Sequence, residues 1–244
     1  MVSFIAAVLL VIAPSLVSGQ SSKHEWFPDE MYNPLVEPRR CGLNSDEPSY
    51  ICDPNGITGN HVASINWVLK DAAYNSTRCP CSNYFCETYQ RPLGYHIGVA
   101  IVKKMKIQTN LGGRKNTLED QGQLFANALK DKWKMGRCDE NIIIFYSSDD
   151  RVLSIYGGST AMAHLTPYYR SLLSYRVGSR FSDGRVVEAI NNLLYDLKLV
   201  LNCDTQFQQD CGLLEIRNGV SSFGISTSVT VLAALVSLFY WFTA

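Results

Sequence analysis

Between Asn141 and Gly158 the chain reads NIIIFYSSDDRVLSIYGG, and few architectures can accommodate that run. NIIIFY is apolar at nearly every position, so the strand it forms must be covered on both faces. VLSIY is a second such strand, stopped by Gly157-Gly158. Ser147 to Arg151 between them is a short polar link, so the two strands are expected to form an antiparallel hairpin. The turn carries Asp149, Asp150 and Arg151. Those side chains suit a metal or phosphate site. They suit plain turn punctuation equally, because aspartate hydrogen-bonds the backbone locally at turns.

Other segments organise around this hairpin. HIGVAIV, His96 to Val102, is a third apolar, β-branched run and reads as a strand buried on both faces. Before it, Asn60 is placed to cap a helix from His61 to Ala73, with Val62, Ile65, Trp67, Val68 and Leu69 as its apolar stripe. Gly112-Gly113 punctuates a loop. Thr117, with Asp120 three residues on, approaches a capping box. It opens a helix with Leu118, Leu124, Phe125, Ala128, Leu129 and Trp133 at helical spacing, closed by Gly136. After the hairpin, Thr160 to Leu173 reads as helix broken near Pro167. Ser182 or Asp183 then caps a long helix burying Val186, Val187, Ile190, Leu193, Leu194, Leu197, Val200 and Leu201. The order predicts an α/β fold: a small mixed β-sheet covered by helices.

The ends place that domain in a cell. MVSFIAAVLLVIAPSLVSGQ has an apolar core from Phe4 to Val11 and small residues at Val17, Ser18 and Gly19, which reads as a secretory signal peptide over 1–19. No Lys or Arg precedes the apolar run. At the other end there is no charge after Arg217, and Val229 to Phe242 is nearly continuously apolar. Residues 223–244 are just long enough for a bilayer-spanning helix. They also fit a lipid-anchor signal, with small residues at Asn218, Gly219, Ser221 and Ser222 and a polar spacer through Ser226 and Ser228. The absence of basic residues beyond the apolar stretch favours the lipid anchor, and Tyr240 and Trp241 as interface anchors favour the span. Between the ends lie an N-terminal arm at 20–59, a globular region at 60–202 and a short stalk at 203–222. With either tail the globular region faces the lumen or the outside of the cell.

Eight cysteines agree with that compartment: Cys41, Cys52, Cys79, Cys81, Cys86, Cys138, Cys203 and Cys211. An even number on a secreted chain implies disulfides before metal. His61 and His96 lack the second histidine that a zinc motif would need nearby. Short spacing makes Cys41–Cys52 and Cys203–Cys211 candidate local loops, with the remaining connectivity open. Asn75-Ser76-Thr77 is an N-glycosylation acceptor. The formal net charge is zero and no basic stripe occurs, which excludes nucleic acid as a partner.

The amphipathic helix ending in Trp133 and Gly136, the apolar strand, the Asp-Asp-Arg turn, the strand closed by Gly-Gly and the Phe181-Ser182-Asp183-Gly184 entry to the last helix together resemble the TPM domain over His61 to Leu201. The segment CGLNSDEPSYICDPNGI, Cys41 to Ile57, with the Cys79–Cys86 insert and the apolar tail, is similar to the nematode branch, the modulator of levamisole receptor family. That resemblance implies a membrane-anchored extracellular protein at the plasma membrane, single-pass type I or lipid-anchored. It implies a role as auxiliary subunit, binding and positively regulating ligand-gated channels of the levamisole-sensitive acetylcholine receptor type at the neuromuscular synapse.

Plant lumenal relatives of the TPM type imply an alternative, a calcium-dependent phosphatase. Its carboxylates would be Asp149, Asp150 and Asp183, with Asp139 and Glu140 near in sequence. Calcium would fall to Asp149 and Asp150, and a phosphate to Arg151. A shared fold does not carry an activity with it. No G-x-S-x-G elbow activates a serine, Ser147 and Ser148 have no histidine assigned to them, and His164 is a lone histidine. Gly157-Gly158-Ser159 before a helix offers a weak anion signal. For the binding reading, Pro167-Tyr168-Tyr169-Arg170 and Trp26-Phe27 are the candidate contacts, since Tyr, Trp and Arg are enriched at interfaces.

Overall fold

The computed structural model describes residues 23–81, 94–107, 117–203 and 211–213. The expected leader and tail, Cys86 and the Gly112-Gly113 loop lie outside the described residues. Among the described residues no helix is long and apolar enough to cross a membrane.

All six residues of Ile97–Val102 (β3) are buried, as are all six of Ile142–Ser147 (β5). They pair in parallel, Ile97 with Ile142 through Val102 with Ser147. Parallel neighbours need a crossover, supplied by Leu118–Trp133 (α2). Val152–Gly157 (β6) returns antiparallel to β5 across the Ser148–Arg151 turn, which Arg151 closes at φ +56°. Ile51–Cys52 (β2) runs parallel to β3 on its other side, giving a mixed sheet of order β2-β3-β5-β6. A second, two-stranded sheet joins Glu25–Trp26 (β1) to Lys104–Met105 (β4).

Helices cover both faces of the mixed sheet. Phe145 stacks on Phe125 of α2, with ring centroids 4.1 Å apart. Its neighbour Tyr146 points to the opposite face and packs on Phe181 of Pro167–Ser182 (α4) at 4.2 Å. Val186–Asn202 (α5) packs along α4. Val62–Asp71 (α1), continued by a π-helical turn over Ala72–Ser76, lies beside α5 and β2. The short Ser159–His164 (α3) follows β6. Near the end of the described chain, Arg176 of α4 holds Asp196 of α5 bidentately at 2.7 and 3.2 Å, and its Nη1 donates to the carbonyl of Leu213 at 2.6 Å.

The capping box forms as expected: the Asp120 N–H donates to Thr117 Oγ1, and the Thr117 N–H to Asp120 Oδ2. Several details differ. The buried face of α2 is Gln121, Gly122, Phe125, Ala126, Leu129 and Trp133, while Leu118, Leu124 and Ala128 are exposed. Lys134, in the left-handed region, ends the helix in place of Gly136. Asn60 sits inside a 3-10 turn, and α1 starts after His61 with no side-chain cap. Trp67 leaves the expected stripe and is 69% exposed. The helix after the hairpin breaks before Pro167, but Thr166 restarts it as α4 through Ser182. Asp183 therefore follows the end of α4, and α5 starts after Arg185.

Gly122 lets α2 sit on β6 without an intervening side chain. A Cβ there would lie 2.5 Å from both Ser154 Oγ and Val152 Cγ1. Gly122→Ala gains about 1 kcal/mol of helix propensity. The overlap is expected to outweigh it and lower the unfolding free energy by about 1–3 kcal/mol. Urea denaturation reads the sign.

Candidate functional site

In open α/β sheets, ligands bind outside the carboxyl ends of the parallel strands. Here those ends are Val102 and Ser147, and the Asp149–Arg151 turn sits beside them. The chain's own backbone occupies the position. Ser148 N–H donates to Val102 O at 3.0 Å, and Asp149 N–H to Lys103 O at 2.8 Å. Asp150 Oδ2 accepts from Ser147 Oγ at 2.5 Å and from Met105 N–H at 2.9 Å, tying the turn to β4. Ser148 Oγ donates to Lys103 O at 3.2 Å.

The N-terminal arm lies over the same end. Trp26 is 1% exposed and meets Tyr32 edge-on at 5.5 Å. Asn55 is the knot: its Oδ1 accepts from Trp26 Nε1 and Lys103 N–H, each at 3.0 Å, and its Nδ2 donates to Lys23 O at 2.7 Å. Lys106 N–H donates to Trp26 O, and Lys132 donates to the carbonyl of Met31 at 2.6 Å. His24 Nε2 stands 3.2 Å from Asp149 Oδ2. Nothing in the sequence of this arm marked the docking, because Asn55 lies in a Pro-Asn-Gly turn whose composition reads only as a turn.

A calcium site needs several oxygens converging on one point. Asp150 is spent on two donors, Asp149 faces an imidazole, and Asp183 pairs with Arg185 at 2.9 Å. Among the described residues, the one group of three His, Cys, Asp or Glu ligand atoms within 4.8 Å is Cys81, Cys138 and Glu140, and its two sulfurs are joined as a disulfide. The turn as folded does not fit a calcium cage. Of the serines and histidine considered as nucleophile and base, Ser147 and Ser148 are engaged as above, and His164 lies edge-on to Tyr95 at 6.1 Å. Asp139 takes a hydrogen bond from Ser159 Oγ at 3.0 Å.

Disulfides join Cys41 to Cys52, Cys81 to Cys138 and Cys203 to Cys211, and Cys79 is disulfide-bonded as well. Glu140, 1% exposed, sits beside Cys138 and organises the loop before β5. It accepts from Arg137 N–H at 2.9 Å and Cys138 N–H at 2.7 Å, and His96 Nδ1 stands 3.2 Å away. Burial would push its carboxyl up. The His96 ring and the two backbone N–H groups outweigh burial and hold it at about 2, below the ordinary 4.5.

Two concavities are lined by described residues. A cleft of about 250 Å³ is lined by Arg39, Arg40, Asn44, Asp53 and Asn60, among others. Its charges are engaged: Arg39 with Asp46, Arg40 with Glu37, and Asp53 with the N–H groups of Ile57 and Thr58. The second is an apolar groove of about 480 Å³ between α1 and α5, lined by Ser64, Trp67, Val68, Asn191, Tyr195 and Lys198. Of the aromatics expected at an interface, Trp26 and Tyr169 are buried, and Tyr168 is exposed. Trp67 and Tyr195, exposed on facing helices, were missed as surface residues. Helical periodicity marks an apolar face but not whether anything covers it.

Two predictions follow from these contacts. Asp150→Ala removes the acceptor shared by Ser147 Oγ and Met105 N–H, leaving them only the 3.2 Å bond from Met105 N–H to Ser147 Oγ, and is expected to cost about 1–3 kcal/mol, while Asp149→Asn stays within about 0.5 kcal/mol; chemical denaturation of both variants separates them. Because Glu140 is held below its unfolded value, its stabilisation is present above pH 4.5 and is lost as pH falls through about 2. Wild type should lose on the order of 3 kcal/mol more across that window than Glu140→Gln, read as denaturation midpoints at neutral and acid pH.

Residues 22–151 match the family model described as modulator of levamisole receptor-1. Comparison with curated proteins gives no match. Among solved structures, the chain is similar to the N-terminal domain of a protein from P. gingivalis determined by solution NMR. The identity is 13%, the alignment covers 73% of this chain and 93% of that one, and the TM-score is 0.46, a likeness too slight to argue from. The family match spans more than half of the 244 residues, and the chain belongs to the modulator of levamisole receptor-1 family.

Proposed function

We propose that this protein is a membrane-anchored extracellular auxiliary subunit that binds and positively regulates a ligand-gated channel of the levamisole-sensitive acetylcholine receptor type. Family membership over residues 22–151 is the observation that carries this reading. The structure lends support: the strand ends where an α/β enzyme would hold substrate are filled by the chain's own arm, and the turn carboxylates serve the framework. A disulfide-tied domain of this kind can act as a rigid recognition body. The signal sequence and apolar tail would deliver the domain to the cell surface and keep it there. Tethering raises its effective concentration at a membrane partner, so a modest direct affinity suffices. The calcium-dependent phosphatase reading has the TPM resemblance behind it and no convergent oxygen site among the described residues.

Co-expression with levamisole-sensitive receptor subunits in oocytes is expected to increase the current evoked by a submaximal agonist dose. Asp149→Asn should retain the full effect, because that carboxylate is assigned no catalytic part. Surface-labelled protein that leaves the current unchanged and does not co-purify with the receptor would sink the reading. Calcium-stimulated phosphoester turnover that Asp149→Asn abolishes would replace it with the enzyme.

A further inference from the structure

The groove between α1 and α5 has no part in the reading above, and the chemistry of its lining suits one class of occupant. Trp67 is 69% and Tyr195 56% exposed, with Val68 beside them and Ser64, Asn191 and Lys198 completing the lining. Aromatic faces ringed by hydroxyl, amide and ammonium groups suit a pyranose, whose C–H face stacks on a ring while its hydroxyls take the polar contacts.

Two turns further along the same helical stretch stands Asn75, exposed, in the acceptor triplet Asn75-Ser76-Thr77. Its attachment atom is linked to the groove's edge through Asp71. Nδ2 donates back along the helix to Asp71 Oδ1 at 3.4 Å, and Asp71 Oδ2 lies 3.5 Å from Nζ of Lys198, which lines the groove. From Asn75 to Trp67 is about 12 Å along the axis at helical rise, a span the first sugars of a glycan core can cover.

We propose that Asn75 carries an N-linked glycan whose core folds back along α1 and stacks in the groove on Trp67 and Tyr195. The transfer takes the sugar from a polyprenyl-pyrophosphate donor. The anomeric C1–O bond breaks and the pyrophosphate leaves with its electron pair, C1 bonds to Nδ2, and Nδ2 loses one proton. The N–H that remains keeps the contact to Asp71 and fixes the direction of the first sugar. Thr77 is buried in the folded domain, where its hydroxyl donates to Ala72 O and accepts from Tyr95 N–H. Transfer therefore precedes closure of this segment. The proposal rests on the reading that the domain faces the secretory lumen.

Tryptophan quenching tests it directly. The chain has four tryptophans; Trp26 and Trp133 are buried, and Trp241 lies in the tail. In full-length Trp241→Phe protein from animal cells, acrylamide quenching thus reports Trp67. Mass spectrometry should find Asn75 occupied. Enzymatic removal of the glycan should raise the quenching constant severalfold, to that of an open indole. Trp67→Ala and Asn75→Gln should each lower the melting temperature, and the double variant no further.

Equal quenching before and after deglycosylation overturns the docking while leaving the extracellular reading intact. An unoccupied Asn75 on a chain that surface biotinylation finds outside the cell overturns the proposal alone. Failure of biotinylation overturns the extracellular reading with it. Shielding of Trp67 that persists in Asn75→Gln and grows with protein concentration assigns the groove to a second copy instead.

Discussion

The pairing of β3 with β5 governs the rest of this molecule. Both strands bury every residue, and they run in the same direction. Parallel pairing forces a crossover, which α2 supplies. Full burial forces cover on both faces, which α2 and α4 supply through Phe125 on Phe145 and Phe181 on Tyr146. The hairpin to β6 then extends the sheet on one side, and β2 closes the other with only two residues. Little of the remaining topology is free once those two strands are set side by side.

The same pairing creates a vulnerable place. Where β3 and β5 end together, backbone groups and turn side chains would be left for a ligand. In this chain they are met internally. Asp150 draws Met105 to Ser147, Asn55 draws the arm to Lys103, and Trp26 covers the result. Residues that looked like chemistry in the turn are the means by which an N-terminal segment, remote in sequence, becomes part of the core. That use of the strand ends agrees with a recognition module better than with a catalyst.

The main elements were legible in the sequence for physical reasons. NIIIFY and HIGVAIV are apolar on both faces, which only covered strands tolerate. Thr117 and Asp120 carry their capping geometry in their spacing. What was not legible depends on distant partners. The two-residue strands β1, β2 and β4 have no period of their own; they exist because the arm and Ile51 meet edges built elsewhere. Ser182-Asp183-Gly184 holds both a helix start and a helix stop, and the left-handed Gly184 makes it the stop. Glu140 looked like one more loop acid, and its burial follows from a loop folded around Cys138. Trp67 matched the apolar period of α1 and still faces solvent, since α5 approaches that helix off to one side of it.

The close of the described chain has a mechanical meaning. Leu213 is fixed by its carbonyl to Arg176, whose guanidinium also clamps Asp196, and Cys211 is bonded back to Cys203 at the end of α5. Tension applied beyond Leu213 is therefore divided between two routes, one covalent into α5 and one ionic into α4. The covalent route enters α5 at its C-terminal cap, and the ionic route enters α4 at mid-helix and grips α5 again at Asp196, about two turns upstream of Cys203, so the two helices share the load before it reaches the sheet.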